Sequence, residues 1–174
     1  MEQALSCVGL HVIIQPMTMA DWPEVVAIYK QGMATGLGTF ETVAPSWEEW
    51  NAARSPHSRL VAREDRAVIG WAALSPVSKR ACYAGVAEIA VYVAETARGR
   101  GVGRALLTAL IASSEANGIW TLQGVTIATN APSVAIQQSC GFRLVGRRER
   151  IGKRDGTWHD TVILERRSAT VGVD

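Results

Sequence analysis

Apolar and polar positions along this chain switch repeatedly between short β-rich runs and stretches of helical spacing. Val12-Ile13-Ile14 predicts a first short strand. Thr18-Met19-Ala20-Asp21 then reads as a capping box, and Trp22, Val25, Val26, Ile28 and Tyr29 recur on one side of the helix that follows, with Gly32 as its expected end. Ser46-Trp47-Glu48-Glu49 repeats the capping signature before a second, short helix. Residues 59–63, 68–74 and 85–93 predict successive strands, separated by turn signals at Glu64-Asp65 and from Pro76 to Arg80. Val102, Leu106, Ala109 and Leu110 mark a long helix over 101–117, stopped by Gly118. A strand over 119–127, a short helix over 133–139, and strands over 142–146 and 161–165 complete the order β-α-α-β-β-β-α-β-α-β-β. Helices interleaved with strands in this way make a layered α/β domain.

A length of 174 residues suits one such domain with a sizeable core. The expected division is a loose lead-in over 1–10, a domain over 11–167 and a loose tail over 168–174. With 18 Lys and Arg against 16 Asp and Glu, no polycationic surface points to nucleic acid, and no binding motif accompanies Arg147-Arg148 or Arg166-Arg167. A small molecule is the expected partner. Cys7, Cys82 and Cys140 are odd in number and lack metal-ligand spacing, which suits reduced thiols in a cytoplasm and no bound metal; Cys140 reads as a small buried thiol. The amino terminus lacks the basic start and long apolar run of a secretion signal, and no apolar run is long enough to span a bilayer. A soluble protein without membrane contact is therefore expected.

The densest chemistry lies in Ala90-Val91-Tyr92-Val93-Ala94-Glu95-Thr96-Ala97-Arg98-Gly99-Arg100-Gly101-Val102-Gly103-Arg104. Val91, Tyr92 and Val93 favour a strand, so the glycines fall at a strand-to-helix junction, where first-turn N–H groups point outward. Gly99, Gly101 and Gly103 allow close backbone approach, the helix dipole favours an anion, and Arg98, Arg100 and Arg104 add positive charge. The turn reads as a pyrophosphate cradle. Neither the dinucleotide fingerprint nor the P-loop fits it.

Arg98-x-x-Gly101-x-Gly103 after a Val-Tyr-Val strand resembles the coenzyme A signature of the GCN5-related N-acetyltransferase (GNAT) superfamily. Thr39-Phe40-Glu41, Glu88 before Val91-Tyr92-Val93, Asn130 with Ser133, Cys140-Gly141-Phe142 and Gly156-x-Trp158-x-Asp160 extend the resemblance to its phosphinothricin N-acetyltransferase branch, from about Val12 to Arg166. The resemblance implies a single α/β domain with a central, mixed, twisted sheet flanked by helices, acetyl-CoA as co-substrate, and a homodimer. Members of the branch acetylate the free amine of phosphinothricin, methionine sulfoximine or arsinothricin, so a role in resistance is implied. The backbone of Val91, Tyr92 and Val93 would pair with the pantetheine arm and polarise the thioester, an arrangement that stabilises an oxyanion without reorganisation. The loop from Arg98 to Arg104, including Val102, would hold the pyrophosphate, and Asn130 and Ser133 would reach the thiol end. As a residue alone, Asn130 reads equally well as a cap before Pro132.

Glu88 is the expected general base, accepting a proton from the substrate ammonium through an ordered water; taken alone it also reads as a half-exposed strand carboxylate. Gln137 stands where the branch usually has His and the wider superfamily often Tyr. An amide cannot act as acid or base, so no Glu–His dyad is expected, and slower turnover or a different substrate orientation should follow; Gln137 can still hydrogen-bond the sulfur region. His11, His57 and His159 all fall outside the motif position. Ala81-Cys82-Tyr83 matches the branch's recognition loop, with Lys79 and Arg80 beside it to pair with an anionic acceptor. Phe40, Glu41, Lys153 and Trp158 are further candidate walls of that site, from either subunit. Two other readings stay open: an acetyltransferase for another small amine or a protein amino terminus, and a coenzyme-binding sensor without turnover.

Overall fold

The computed structural model describes residues 12–173, and the expectations for the amino-terminal lead-in and for Cys7 and His11 lie outside them. The expected alternation holds throughout: β1 (Val12–Pro16), α1 (Trp22–Ala34), α2 (Trp47–Ala53), β2 (Leu60–Glu64), β3 (Ala67–Pro76), β4 (Val86–Val93), α3 (Val102–Ala116), β5 (Thr121–Ile127), α4 (Ala131–Ser139), β6 (Arg143–Arg154) and β7 (Thr157–Arg167). The strands form one seven-stranded sheet in the order β1-β2-β3-β4-β5-β7-β6. All neighbours are antiparallel except β4 and β5, whose parallel pairing joins two antiparallel halves.

Local chemistry sets the helix starts. The Asp21 carboxylate accepts the Thr18 N–H at 2.7 Å and leads the chain through a single 3-10 turn into α1. Ser46 and Glu49 cap α2 reciprocally, the Ser46 N–H donating to Oε2 of Glu49 at 2.8 Å and the Glu49 N–H to Oγ of Ser46 at 3.2 Å. At the end of α3, Gly118 takes the left-handed conformation, φ +77°, as expected for a helix stop.

The two faces of the sheet carry different cores. Trp71 and Tyr92 are cross-strand partners on β3 and β4, stacked at 4.7 Å, and Tyr29 of α1 and Trp50 of α2 pack edge-on against this pair. On the opposite face, Val102 and Leu106 of α3 lie against Gly70, and Leu107 and Leu110 are fully buried. Alternation along β3 and β4 thus sorts aromatic residues to the side of α1 and α2 and aliphatic ones to the side of α3.

The structure corrects three expectations. Helix α1 does not end at Gly32 but runs through it to Ala34, and the glycine serves packing instead: a Cβ there would come within 2.6 Å of the Tyr92 ring. The short strands expected over 142–146 and 161–165 are parts of one long hairpin, turned by Asp155 and Gly156 at φ +47° and +81°. Such an Asp-Gly pair matches the twist of the strands it joins. The Asp160 carboxylate stitches the irregular part of β6, accepting the Arg150 N–H at 2.8 Å and Nε of Arg147 at 2.8 Å; these donors, the Arg150 amide first, hold it below the usual carboxylate range. Finally, the segment after β7 is tied down rather than loose. The Ser168 N–H donates to the Trp120 carbonyl at 2.8 Å, and Nη1 of Arg167 donates to the Val171 carbonyl at 2.7 Å.

Gly32→Ala is expected to destabilise the protein. Alanine would gain about 1 kcal/mol of helix propensity, but displacing a ring held between Tyr29 and Trp71 costs about 1–3 kcal/mol. A lower melting temperature in a thermal unfolding scan checks this; a higher one would show that the Tyr92 ring yields freely.

Candidate active site

Strands β4 and β5 are paired only from Val86 with Thr121 to Glu88 with Gln123. Beyond that point they part, and a cavity of about 600 Å³ opens between them, walled by Ile89 to Val93 on one side and Gly124 to Ile127 on the other. The edge of β4 that faces β5 therefore has no ladder partner after Glu88. Its free N–H and C=O groups are a template for an extended ligand to add as a strand.

At the end of β4 the chain turns into α3. Gly99 and Gly101 adopt φ +74° and +82°, with open space where a Cβ would stand, so the backbone is bare. Helix bonding begins at Ala105, whose N–H donates to the Gly101 carbonyl at 3.0 Å, and no side chain caps the helix. The amides of Val102, Gly103 and Arg104 thus have no acceptor within the helix, which makes this end of α3 an anion site. The side chains around it divide their work. Arg98 lines the cavity, Arg104 is exposed, and Arg100 is paired with Glu64 of β2. Val102 contributes only its amide, since its side chain is in the core. Gly103 is needed for packing: a Cβ there would lie 3.2 Å from Ile136 of α4 and 3.5 Å from Val93.

Helix α4 supplies the far wall. Oδ1 of Asn130 accepts the Ser133 N–H at 3.2 Å, while its Nδ2 donates to the Leu37 carbonyl at 3.1 Å, so Asn130 both caps α4 and ties down the segment between α1 and α2. Gln137 is only 4% exposed, yet it reaches the cavity. Its Nε2 donates to Oγ1 of Thr126 at 2.8 Å and to Oγ of Ser133 at 3.2 Å. Its Oε1 is buried without a partner among the described residues, resting where a Cβ of residue 124 would be. Gly124 and Thr126 were not singled out from sequence; a glycine inside an apolar strand, the usual mark of close approach by a neighbour, was the available signal.

Glu88 sits where the strands separate, and its carboxylate has no hydrogen bond or ion pair among the described residues. Burial raises its pKa above the ordinary value, while the nearby Arg54 and Arg148 pull it partly back. Farther along β4, the Tyr92 hydroxyl donates to the Gly38 carbonyl at 2.8 Å, and burial together with Tyr29 holds the phenol protonated far above neutral pH. Arg54, which follows α2, also faces this cavity and was not recognised in the sequence.

Of the expected acceptor-site residues, Phe40 and Glu41 line the cavity. Phe40 rests on Gly152 of β6, where a Cβ would come within 2.5 Å of its ring. Arg80, Ala81, Cys82 and Tyr83 form an exposed turn outside the cavity, with the Arg80 guanidinium 5.6 Å from the Tyr83 ring centroid. Lys153 and Trp158 are cross-strand partners on the hairpin, also outside it, with the Lys153 ammonium 5.5 Å from the ring and Trp158 itself 54% exposed. Among the described residues no group of His, Cys, Asp and Glu has the arrangement of a metal site, and no helix is long and apolar enough to cross a membrane.

Comparison with known proteins agrees with this geometry. A phosphinothricin N-acetyltransferase of Alcaligenes faecalis is 36% identical over 155 residues, covering 84% of this chain and 77% of the relative. An L-methionine sulfoximine/L-methionine sulfone acetyltransferase of Pseudomonas aeruginosa is 27% identical over 158 residues, covering 87% of this chain and 92% of the relative. The crystal structure of a phosphinothricin acetyltransferase from Sinorhizobium meliloti in complex with acetyl-CoA superimposes with a TM-score of 0.86 at 28% identity, covering 94% of this chain and 91% of that one. The model of the acetyltransferase (GNAT) family matches residues 22–142, a span holding the parted strands, the glycine turn and α4, and the chain belongs to that family.

Proposed function

We propose that this N-acetyltransferase moves the acetyl group of acetyl-CoA to the free α-amine of a small, glutamate-like amino acid such as phosphinothricin, methionine sulfoximine or arsinothricin, and so confers resistance to it. One observation carries the reading: Glu88, a half-buried carboxylate without a partner among the described residues, lines the same cavity whose wall is the open edge of β4. The residues fit acetyl-CoA. An unpaired strand edge suits its pantetheine arm, and an uncapped helix start beside Arg98 and Arg104 suits its pyrophosphate. Bound there, acetyl-CoA supplies an activated thioester to the amine.

The chain's own groups do the rest. The backbone N–H groups of Val91 and Val93, on the side of β4 turned away from β3, present fixed donors to the oxygen on which negative charge would develop. Glu88 accepts the proton that the acceptor ammonium must lose before it can attack, directly or through one water. Burial raises its pKa above that of an ordinary carboxylate, which makes it the stronger base once it is ionised. Gln137, fixed by Thr126 and Ser133, is no acid, so the departing thiolate would take its proton from solvent or from the ammonium of the acylated acceptor.

The primary test is thiol release from acetyl-CoA across phosphinothricin, methionine sulfoximine, arsinothricin, ordinary amino acids and a peptide with a free amino terminus. Selective release with a glutamate-like amino acid is expected; preference for the peptide would overturn the substrate class.

Glu88 must be ionised to accept a proton, so kcat/KM should rise with pH through a pKa above the ordinary carboxylate range. Glu88→Gln is expected to remove this acid limb and lower kcat by about 10²- to 10⁴-fold, with acetyl-CoA affinity retained. A limb that persists in the variant would assign the base elsewhere.

Gln137→His places an ionisable group beside the sulfur end. Its kcat profile should acquire a second limb, near neutral pH, that the parent enzyme lacks. A profile unchanged in shape would mean that position 137 does not take part in proton delivery.

A further inference from the structure

Arg54 ends α2 with an extended backbone, and its Nη1 donates to Oγ of Ser75 at 2.8 Å. Ser75 is the register partner of Glu88 across β3 and β4. Directly opposed residues project to the same face of a sheet, so this one hydrogen bond sets the guanidinium beside the Glu88 carboxylate. The rings of Trp50 and Trp71 back it at 5.7 and 6.0 Å. Arg54 and Glu88 nevertheless form no ion pair, and both face the cavity.

The guanidinium also has donors to spare. Only Nη1 has a partner among the described residues, and Nε is buried with none. Its neighbour Arg59 differs, being spent on Ser55, Asn51 and the Arg54 carbonyl. Arg148, the other cation that acts on Glu88, is turned to Oγ1 of Thr161 at 3.1 Å and does not line the cavity. A cation with unused donors and an anion with none of its acceptors used thus stand side by side, unpaired, in one cavity. Burying an unpaired guanidinium is costly, and the complement to this arrangement is a zwitterion whose two charges sit close together.

We propose that Arg54 receives the α-carboxylate of the acceptor while Glu88 faces its α-ammonium, so that the site selects free α-amino acids over amines that lack a carboxylate and over peptide amino termini. This rests on the proposed amino-acid acetyltransferase reading and deepens it. The two groups of an α-amino acid are borne on one carbon, which matches adjacent cross-strand positions; the anion at the far end of a glutamate-like side chain lies several bonds away and falls to other residues. In a peptide, the same position carries an amide, which offers Arg54 no charge.

The test compares kcat/KM for the amino acid of the panel that turns over fastest with that for its α-carboxamide, in the parent enzyme, Arg54→Gln and Arg54→Lys. The parent is expected to prefer the acid by about tenfold or more, the worth of a charge-assisted contact, and Arg54→Gln to bring the ratio near one, with Arg54→Lys between. A purely structural role for Arg54 would lower both acceptors alike and leave the ratio in place. That result, or a parent enzyme without preference, would overturn the proposal.

Silence of the parent enzyme with every amino acid would instead refute the transferase reading, and binding then decides the matter. Tryptophan fluorescence, reporting from Trp50 and Trp71, is followed on titrating phosphinothricin into the acetyl-CoA-loaded protein. A saturable change that weakens about tenfold in Arg54→Gln supports the carboxylate site; no change in the parent overturns it.

Discussion

The structure turns on the separation of β4 from β5. A fully paired sheet would spend every backbone donor and acceptor of β4 on its neighbours and leave no room between the halves. Here the parallel ladder stops at Glu88 and Gln123. The opening has specific wedges. Gln137 of α4 lies on the bare Cα of Gly124, and Ile136 fits against Gly103 at the start of α3, next to Val93. Small residues at 103 and 124 thus let two helices approach the gap closely. Three features are arranged around it: the open strand edge, the uncapped helix start and the Glu88 carboxylate.

Electrostatics divide the gap into two ends. Toward α3, bare amides with Arg98 and Arg104 nearby favour an anion, while Arg100 is paired with Glu64. Toward α2, a carboxylate and a guanidinium face the same space without neutralising each other. Burial works on Glu88 and Tyr92 in the same direction, disfavouring charge, but with different results. The carboxyl is raised but pulled partly back by Arg54 and Arg148, whereas the phenol is committed to its neutral form and acts as a tether to Gly38. Gln137 is a neutral group in the cavity wall, fixed by the hydroxyls of Thr126 and Ser133.

The fold was legible in the sequence where one physical signal dominated. Strand and helix order followed from periodicity, and the capping residues at Ser46 and the stop at Gly118 behaved as their local chemistry dictates. Reading was poorer where local and tertiary demands differ. Gly32 looks like a helix end, yet it exists to admit the Tyr92 ring from a strand sixty residues away. The polar stretch Arg147 to Arg154 hides a strand, because β6 is an edge strand exposed along much of its length and shows no apolar alternation. Asp155-Gly156 was the overlooked local signal for that hairpin.

The glycine turn, Glu88, the Val-Tyr-Val strand and the cap at Asn130 were identifiable from the chain alone because each depends on residue types at fixed short spacing. Sequence by itself therefore determined the alternating α/β order, the glycine-rich helix start and the candidate base. Tertiary structure decided which cations face the cavity beside Glu88. Arg80 and Lys153, prominent beside motifs, point to exposed surface aromatics, while Arg54, in a stretch without a motif, is brought to Glu88 through Ser75. Strand register places Ser75 opposite Glu88, and register is set by pairing between distant segments, which leaves no mark in the spacing around Arg54 itself.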